Sequence, residues 1–180
     1  MMSRANIRKI VFAGVLAALY AALTVSLSPI SYGNFQFRAA EALMVLPFFF
    51  PFSVWGLFIG CILANIISPY PLDIVVGSLA SLIAGFCTMQ IGKMGKNSVS
   101  VKALACFPPV IINAIFIGLL IAFYMVGFSD LPTFFATAFV SGIQVGFGQL
   151  VVLYVIGLPL LIYLPKSRAY VEMTEYLGGN

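Results

Sequence analysis

Three charged residues stand where charge is most expensive. Arg38 and Glu41 open the apolar run 42–67, and Asp73 follows soon after it closes. An ionised side chain at the centre of a bilayer costs about 2.5–3.5 kcal/mol on insertion scales, so such residues face a bundle interior or a cavity and mark a binding site by default. Arg38 and Glu41 are spaced i, i+3, which puts them on one helix face where they can meet. Asp73 stands just after Pro71, a favourable place for negative charge at a helix N-terminus. A guanidinium donates and carboxylates accept, so the set can read a polar ligand from both sides. The chemistry indicated is recognition. The chain has no His, no clustered Cys and no nucleophile beside an evident base, so neither a metal site nor an enzyme is expected. Cys61, Cys87 and Cys106 lie in separate apolar segments and read as inert buried thiols.

The rest of the chain must hold these groups in a membrane. Hydrophobic residues make up 62% of the 180 and charged residues 8%, against about 25% charged in a soluble domain. Stretches of ~20 apolar residues cross a bilayer as helices. The run 42–67 is either one helix kinked at Pro47 and Pro51 or two short ones turning near Pro51, Phe52 and Ser53. Charge decides between them. Arg4, Arg8 and Lys9 belong in the cytoplasm, as do Lys93, Lys96 and Lys102, so an even number of spans separates the two groups. The run therefore splits.

The expectation is an all-α integral membrane protein of the cell membrane, multi-pass, with both termini cytoplasmic. A single domain over residues 1–180 holds six transmembrane helices at about 10–27, 39–52, 53–67, 72–91, 103–127 and 132–163. Ser53 is the expected N-cap of the third. The two short helices reach only ~21 Å across a ~30 Å core, so their ends need neighbours. The sixth span is expected to bend at Gly157 or Pro159, and Asp130 with Pro132 to start it. A cleaved signal peptide is disfavoured, because its apolar core is only ~7–15 residues. The net charge of +4 comes from residues at segment ends, which set topology and give no reason to expect nucleic acid. The loop GKMGKNS fails the phosphate-loop spacing, since Gln90 stands where the first Gly is needed and Asn97 follows Lys96.

With this topology the polar residues gather in the outer half of one bundle. Gln36, Arg38 and Glu41 begin span two; Asn65 and Tyr70 end span three; Asp73 starts span four. Tyr124 ends span five, with the deeper Asn113 on its face, and Ser141 and Gln144 share a face of span six. Gln149 lies on a different side and is expected to bond only a neighbouring helix. Each residue has a competing structural role: an Arg38–Glu41 ion pair, an Asp73 that serves the helix dipole, an Asn65 that caps its helix. Phe48, Phe49, Phe50 and Trp55 read as packing or lipid-facing residues.

The runs FQFRAAEALMVLPFF (35–49), GLFIGCILAN (56–65) and LDIVVGSLASLIAG (72–85) resemble the QueT family. Its members are the substrate-binding S components of energy-coupling-factor (ECF) importers for queuosine precursors. The resemblance implies a 7-deazaguanine ligand such as 7-aminomethyl-7-deazaguanine or queuine, bound from the extracellular side without a cofactor. It implies as partners an ECF scaffold membrane subunit and two ATPase subunits, with ATP hydrolysed outside this chain. By the same resemblance the loop 28–36 (SPISYGNFQ) gates the ligand, and Ala13, Ala17 and Ala21 of the first helix dock on the scaffold, small residues every fourth position allowing close helix contact. Arg38, Glu41 and Asp73 sum to −1, which a monocationic ligand neutralises. One carboxylate then reads the guanine edge, with Glu41 favoured, and the other holds the ammonium. The alternatives are an S component for another vitamin, or a stand-alone proton-coupled carrier using Glu41 or Asp73.

Overall fold

Proline positions decide where the helices of this chain break. The computed structural model describes residues 3–33, 35–95 and 97–178, and among these all regular structure is helical. Asn34 of the loop before Arg38 and Lys96 of the basic loop lie outside the described residues. Four stretches are long and apolar enough to cross a membrane: Arg4–Ser26, Asp73–Gly92, Val99–Met125 and Leu131–Lys166. The first is α1 (Arg4–Ser26), capped by the Ser3 side chain and followed by a single turn, α2 (Ser28–Ser31), with Pro29 inside it.

The apolar run after Arg38 does split. A tight 3₁₀ helix covers Ala39–Phe48, and α3 covers Ser53–Asn65. The helices are shorter than the expected 39–52 and 53–67; the first runs through Pro47 and stops before Pro51, which has no N–H to extend it. At ~2.0 Å per residue in 3₁₀ geometry and ~1.5 Å in α, each is about 20 Å long, well short of the ~30 Å core. Ser53 does not cap α3. Phe52 precedes the helix in helical conformation, and the buried Ser53 hydroxyl has no hydrogen-bond partner among the described residues.

The next element of the bundle is α4 (Asp73–Gly92). Next come α5 (Val99–Ala105) and α6 (Phe107–Met125), which meet at Cys106 beside Pro108 and Pro109. α7 (Leu131–Val152) starts at Asp130, whose carboxylate accepts from the Thr133 N–H and hydroxyl. It gives way to a π turn at Leu153–Gly157 before α8 (Leu158–Tyr163). Pro159 has no N–H to return to the preceding turn, and the wider π turn absorbs the break. The irregularity expected at Gly157 or Pro159 is this turn.

Small residues set the helix contacts. A Cβ on Gly56 would lie 2.5 Å from the Ala13 carbonyl oxygen, and one on Gly60 2.8 Å from that of Ala17, so α1 and α3 touch backbone to backbone. Ala13 and Ala17 thus face α3, and Ala17 is buried, while Gly14, Ala18 and Ala22 form the exposed row beside them. The Gly77, Ser81 and Gly85 ridge of α4 packs on α3: Ser81 donates to the Cys61 sulfur, and Gly85 lies against Val54.

Phe48, Phe49 and Phe50 are buried and Trp55 is 54% exposed. A last helix, α9 (Arg168–Tyr176), was not foreseen. It folds over the 49–52 turn, with the Tyr170 ring 5.3 Å from Phe49, and Arg8 of α1 donates to its Tyr176 carbonyl. The bundle has two unlike ends. One holds this aromatic knot, with Arg8, Lys9 and Lys102 beside it; the other holds Arg38, Glu41 and Asp73.

Candidate functional site

The charged end is built where α3 stops and α4 begins. Asn65 is fully buried, and its side-chain amide donates to the Asp73 carbonyl at 2.8 Å and to Cys61 Sγ at 3.4 Å. That bond ties the two helix ends together and leaves the Asp73 carboxylate pointing into the junction. There Arg38 Nη2 donates to Asp73 Oδ2 at 2.7 Å, with the Arg38 and Asp73 side chains 4% and 1% exposed. Arg38 Nε donates to the Ser31 carbonyl, and the guanidinium stands 5.1 Å from the Tyr32 ring centre. Tyr32 in turn donates to the Ala64 carbonyl at 2.5 Å.

Arg38 therefore pairs with Asp73. The expected meeting with Glu41 fails because Arg38 is the extended residue preceding the 3₁₀ helix, outside the face that i, i+3 spacing assumes.

The Asp73 carboxylate lies back along its own helix, with Oδ1 over Gly77, where any Cβ would overlap it. Gly77→Ala is expected to displace the carboxylate from Arg38 and cost about 1–3 kcal/mol through overpacking. The melting temperature of the purified protein reads this. Gly85→Ala, whose Cβ meets Val54 at an ordinary 3.4 Å, is the control, and equal melting of the two variants would rule the packing argument out.

Glu41 sits in a second, neutral cluster. Tyr20 of α1 donates to Oε1 at 2.5 Å, and Asn113 of α6 donates to Oε2 at 3.4 Å. Glu41, Tyr20 and Asn113 are 1%, 0% and 4% exposed. No cationic group lies within ion-pair distance of Glu41 among the described residues. Arg38 and Asp73 offset each other, and Glu41 is the buried carboxylate of this end with no cation beside it among the described residues.

Beside this layer is a cavity of about 520 Å³, lined by Tyr32, Gly33 and Gln36 of the loop, Tyr70, and residues of α6 and α7 that include Ile121, Ser141 and Gln144. That volume suits a small organic ligand. Gln36 links the two regions: it lines the cavity, and its carbonyl accepts from the Arg38 N–H at 2.7 Å. Its φ of +45° is unusual for a residue with a side chain.

The structure thus sorts the residues expected from sequence. Gln36, Tyr70, Ser141 and Gln144 line the cavity. Arg38, Glu41, Asn65, Asp73 and Asn113 form the buried polar layer. Tyr124 lines neither; its hydroxyl accepts from the Leu72 N–H, and its ring packs 5.1 Å from Tyr70.

Sequence reasoning missed Tyr20 and Tyr32. Tyr20 is a phenol set in an otherwise apolar span, a polar group that needs a partner when buried, and that was the available signal. Tyr32 gave none, because its partners are a backbone carbonyl and a guanidinium brought close by the fold.

The family model described as the QueT transporter matches residues 10–166. The Queuosine precursor transporter QueT of Lactococcus lactis subsp. cremoris (strain MG1363) is 38% identical over 84 residues, which are 46% of this chain and 50% of that protein. The chain thus aligns with about half the length of this curated relative. No solved structure matches.

Proposed function

The chain belongs to the QueT transporter family, and on that premise we propose that it is the membrane-embedded substrate-binding subunit of an ECF importer for a queuosine precursor. The family is one of transporters and not of enzymes, and the apolar helices make this a multi-pass membrane protein. The observation that carries the finer reading is the uncompensated Glu41 carboxylate, held by two neutral donors near a cavity of ligand size.

In this proposal a 7-deazaguanine enters from the extracellular side, and its guanine N–H donors replace those of Tyr20 and Asn113 on Glu41. The Asp73 Oδ1 atom, buried without a partner, receives the ammonium of the 7-aminomethyl form. Gln36, Tyr70, Ser141 and Gln144 contact the ligand from the cavity, and the segment from Ser28 to Arg38 is the gate. Tyr124 acts by holding Tyr70. Six spans with both termini cytoplasmic follow from counting the two short helices as spans and from the positive-inside rule.

The scaffold membrane subunit docks on α1, and two ATPase subunits supply the energy. Because α3 takes up Ala13 and Ala17, the docking row becomes Gly14, Ala18 and Ala22, with the half-buried Ala21 at its edge. The same unpaired carboxylate would serve a proton-coupled carrier. Uptake by the chain alone, lost when the proton gradient is collapsed, would favour that reading.

Calorimetry on the purified protein tests the proposal, with 7-aminomethyl-7-deazaguanine, 7-cyano-7-deazaguanine, queuine, guanine, riboflavin and thiamine. The expected result is nanomolar binding of one deazapurine with guanine much weaker. Tight binding of riboflavin or thiamine would replace the substrate, and silence across the panel would overturn the binding-subunit reading.

A further inference from the structure

Gln149 is a polar side chain that neither the fold nor the proposed site uses. It is 2% exposed, and its Oε1 has no hydrogen-bond partner among the described residues. The helix carrying it lies along the segment that holds Arg38 and Glu41. One residue earlier, Gly148 meets the Phe35 and Gln36 carbonyls so closely that a Cβ there would overlap the Phe35 oxygen. Further on, Gly157 lies against the Ala42 carbonyl and the Val45 side chain. α7 and the π turn thus run beside the chain from Phe35 to Ala42, and Gln149 stands level with its polar start.

A buried amide oxygen without a donor is unfavourable, and an apolar residue of similar shape would serve packing better. The position therefore makes sense if a donor arrives from outside the chain. Other buried oxygens at this end of the bundle share the condition, among them Asn65 Oδ1, Asp73 Oδ1 and the Ser31 hydroxyl. The amide and carboxylate oxygens can only accept. We propose that Gln149 is a ligand-reading residue, its side-chain oxygen accepting from an N–H of a donor-rich heterocycle bound at the buried polar layer beside α7. The inference rests on the reading above that the ligand binds beside Glu41. It moves Gln149, expected from sequence to bond only a neighbouring helix, into the recognition set.

Gln149→Met separates this role from a structural one, since it keeps the volume and removes the acceptor. The experiment measures the melting temperature without ligand, and calorimetric affinity for the tightest-binding deazapurine of the panel. The expected pair of results is an unchanged or higher melting temperature and affinity at least tenfold weaker. A lower melting temperature overturns the proposal whatever the affinity does, because the amide then serves the fold. Affinity within twofold of the parent also overturns it. If the parent protein binds none of the panel, the substrate reading fails on its own. The ligand-free melting arm then still decides for Gln149, a rise supporting a group kept for an outside donor and a fall excluding it.

Discussion

Glu41→Gln is expected to weaken binding of 7-aminomethyl-7-deazaguanine about 100-fold while leaving the ligand-free protein folded. The replacement preserves size and keeps an oxygen to accept from Tyr20, which donates to Oε1 in the parent. It removes the buried carboxylate that has no counter-charge within ion-pair distance among the described residues. A hydrogen bond to a charged group contributes about 1.5–3 kcal/mol, and 100-fold is about 2.7 kcal/mol. The loss should be larger for the aminomethyl cation than for the neutral 7-cyano compound, which tests charge separately from shape. Calorimetry on the purified variant reads both. If Glu41→Gln and Asp73→Asn each leave affinity within twofold, the electrostatic account of the site is wrong.

The second large effect belongs to stability. Arg38→Met is expected to destabilise the protein by about 3–5 kcal/mol, because it strands the Asp73 carboxylate in a buried junction. The Asp73 side chain is 1% exposed, and Ser68, at 3.5 Å, offers little beyond the guanidinium. The double variant Arg38→Met with Asp73→Leu should regain most of that loss, since removing a buried pair together is often neutral. Thermal unfolding in detergent of the parent, both single variants and the double gives the coupling energy. A double variant that loses the sum of the two single losses would mean the pair is not coupled. Affinity should fall in all three variants, because the pair also anchors the loop carrying Tyr32 and Gln36.

Much of this was legible because membranes penalise charge and length errors. Arg38, Glu41 and Asp73 stood out against an apolar background, and the prolines at 51 and 159 marked breaks that the structure has, while the helix runs through Pro47. Asn113 was placed on a site-facing stripe by helix phase alone, and it does reach Glu41.

The partners were not legible. Sequence proximity offered Arg38 to Glu41, whereas the fold offers it to Asp73, 35 residues away, and no periodicity carries that information. The same limit hid Tyr32. Gln149 was set aside for lying off the Ser141–Gln144 face, yet α7 buries a broad arc, and residues on both sides of it turn inward. α9 escaped notice because its stability comes from Tyr170 and Leu177 packing on other elements.

The pairing of Arg38 with Asp73 also sets an order of construction. The hairpin from Ala39 to Asn65 returns to the end of the bundle it left, so it can pack on itself before α4 docks. Until then Arg38 is a cation at an apolar boundary with its counter-ion not yet beside it. A chain truncated at Leu72 would keep every apolar surface of the hairpin and lack the group that closes it. Closure of this half of the protein then turns on the docking of one carboxylate.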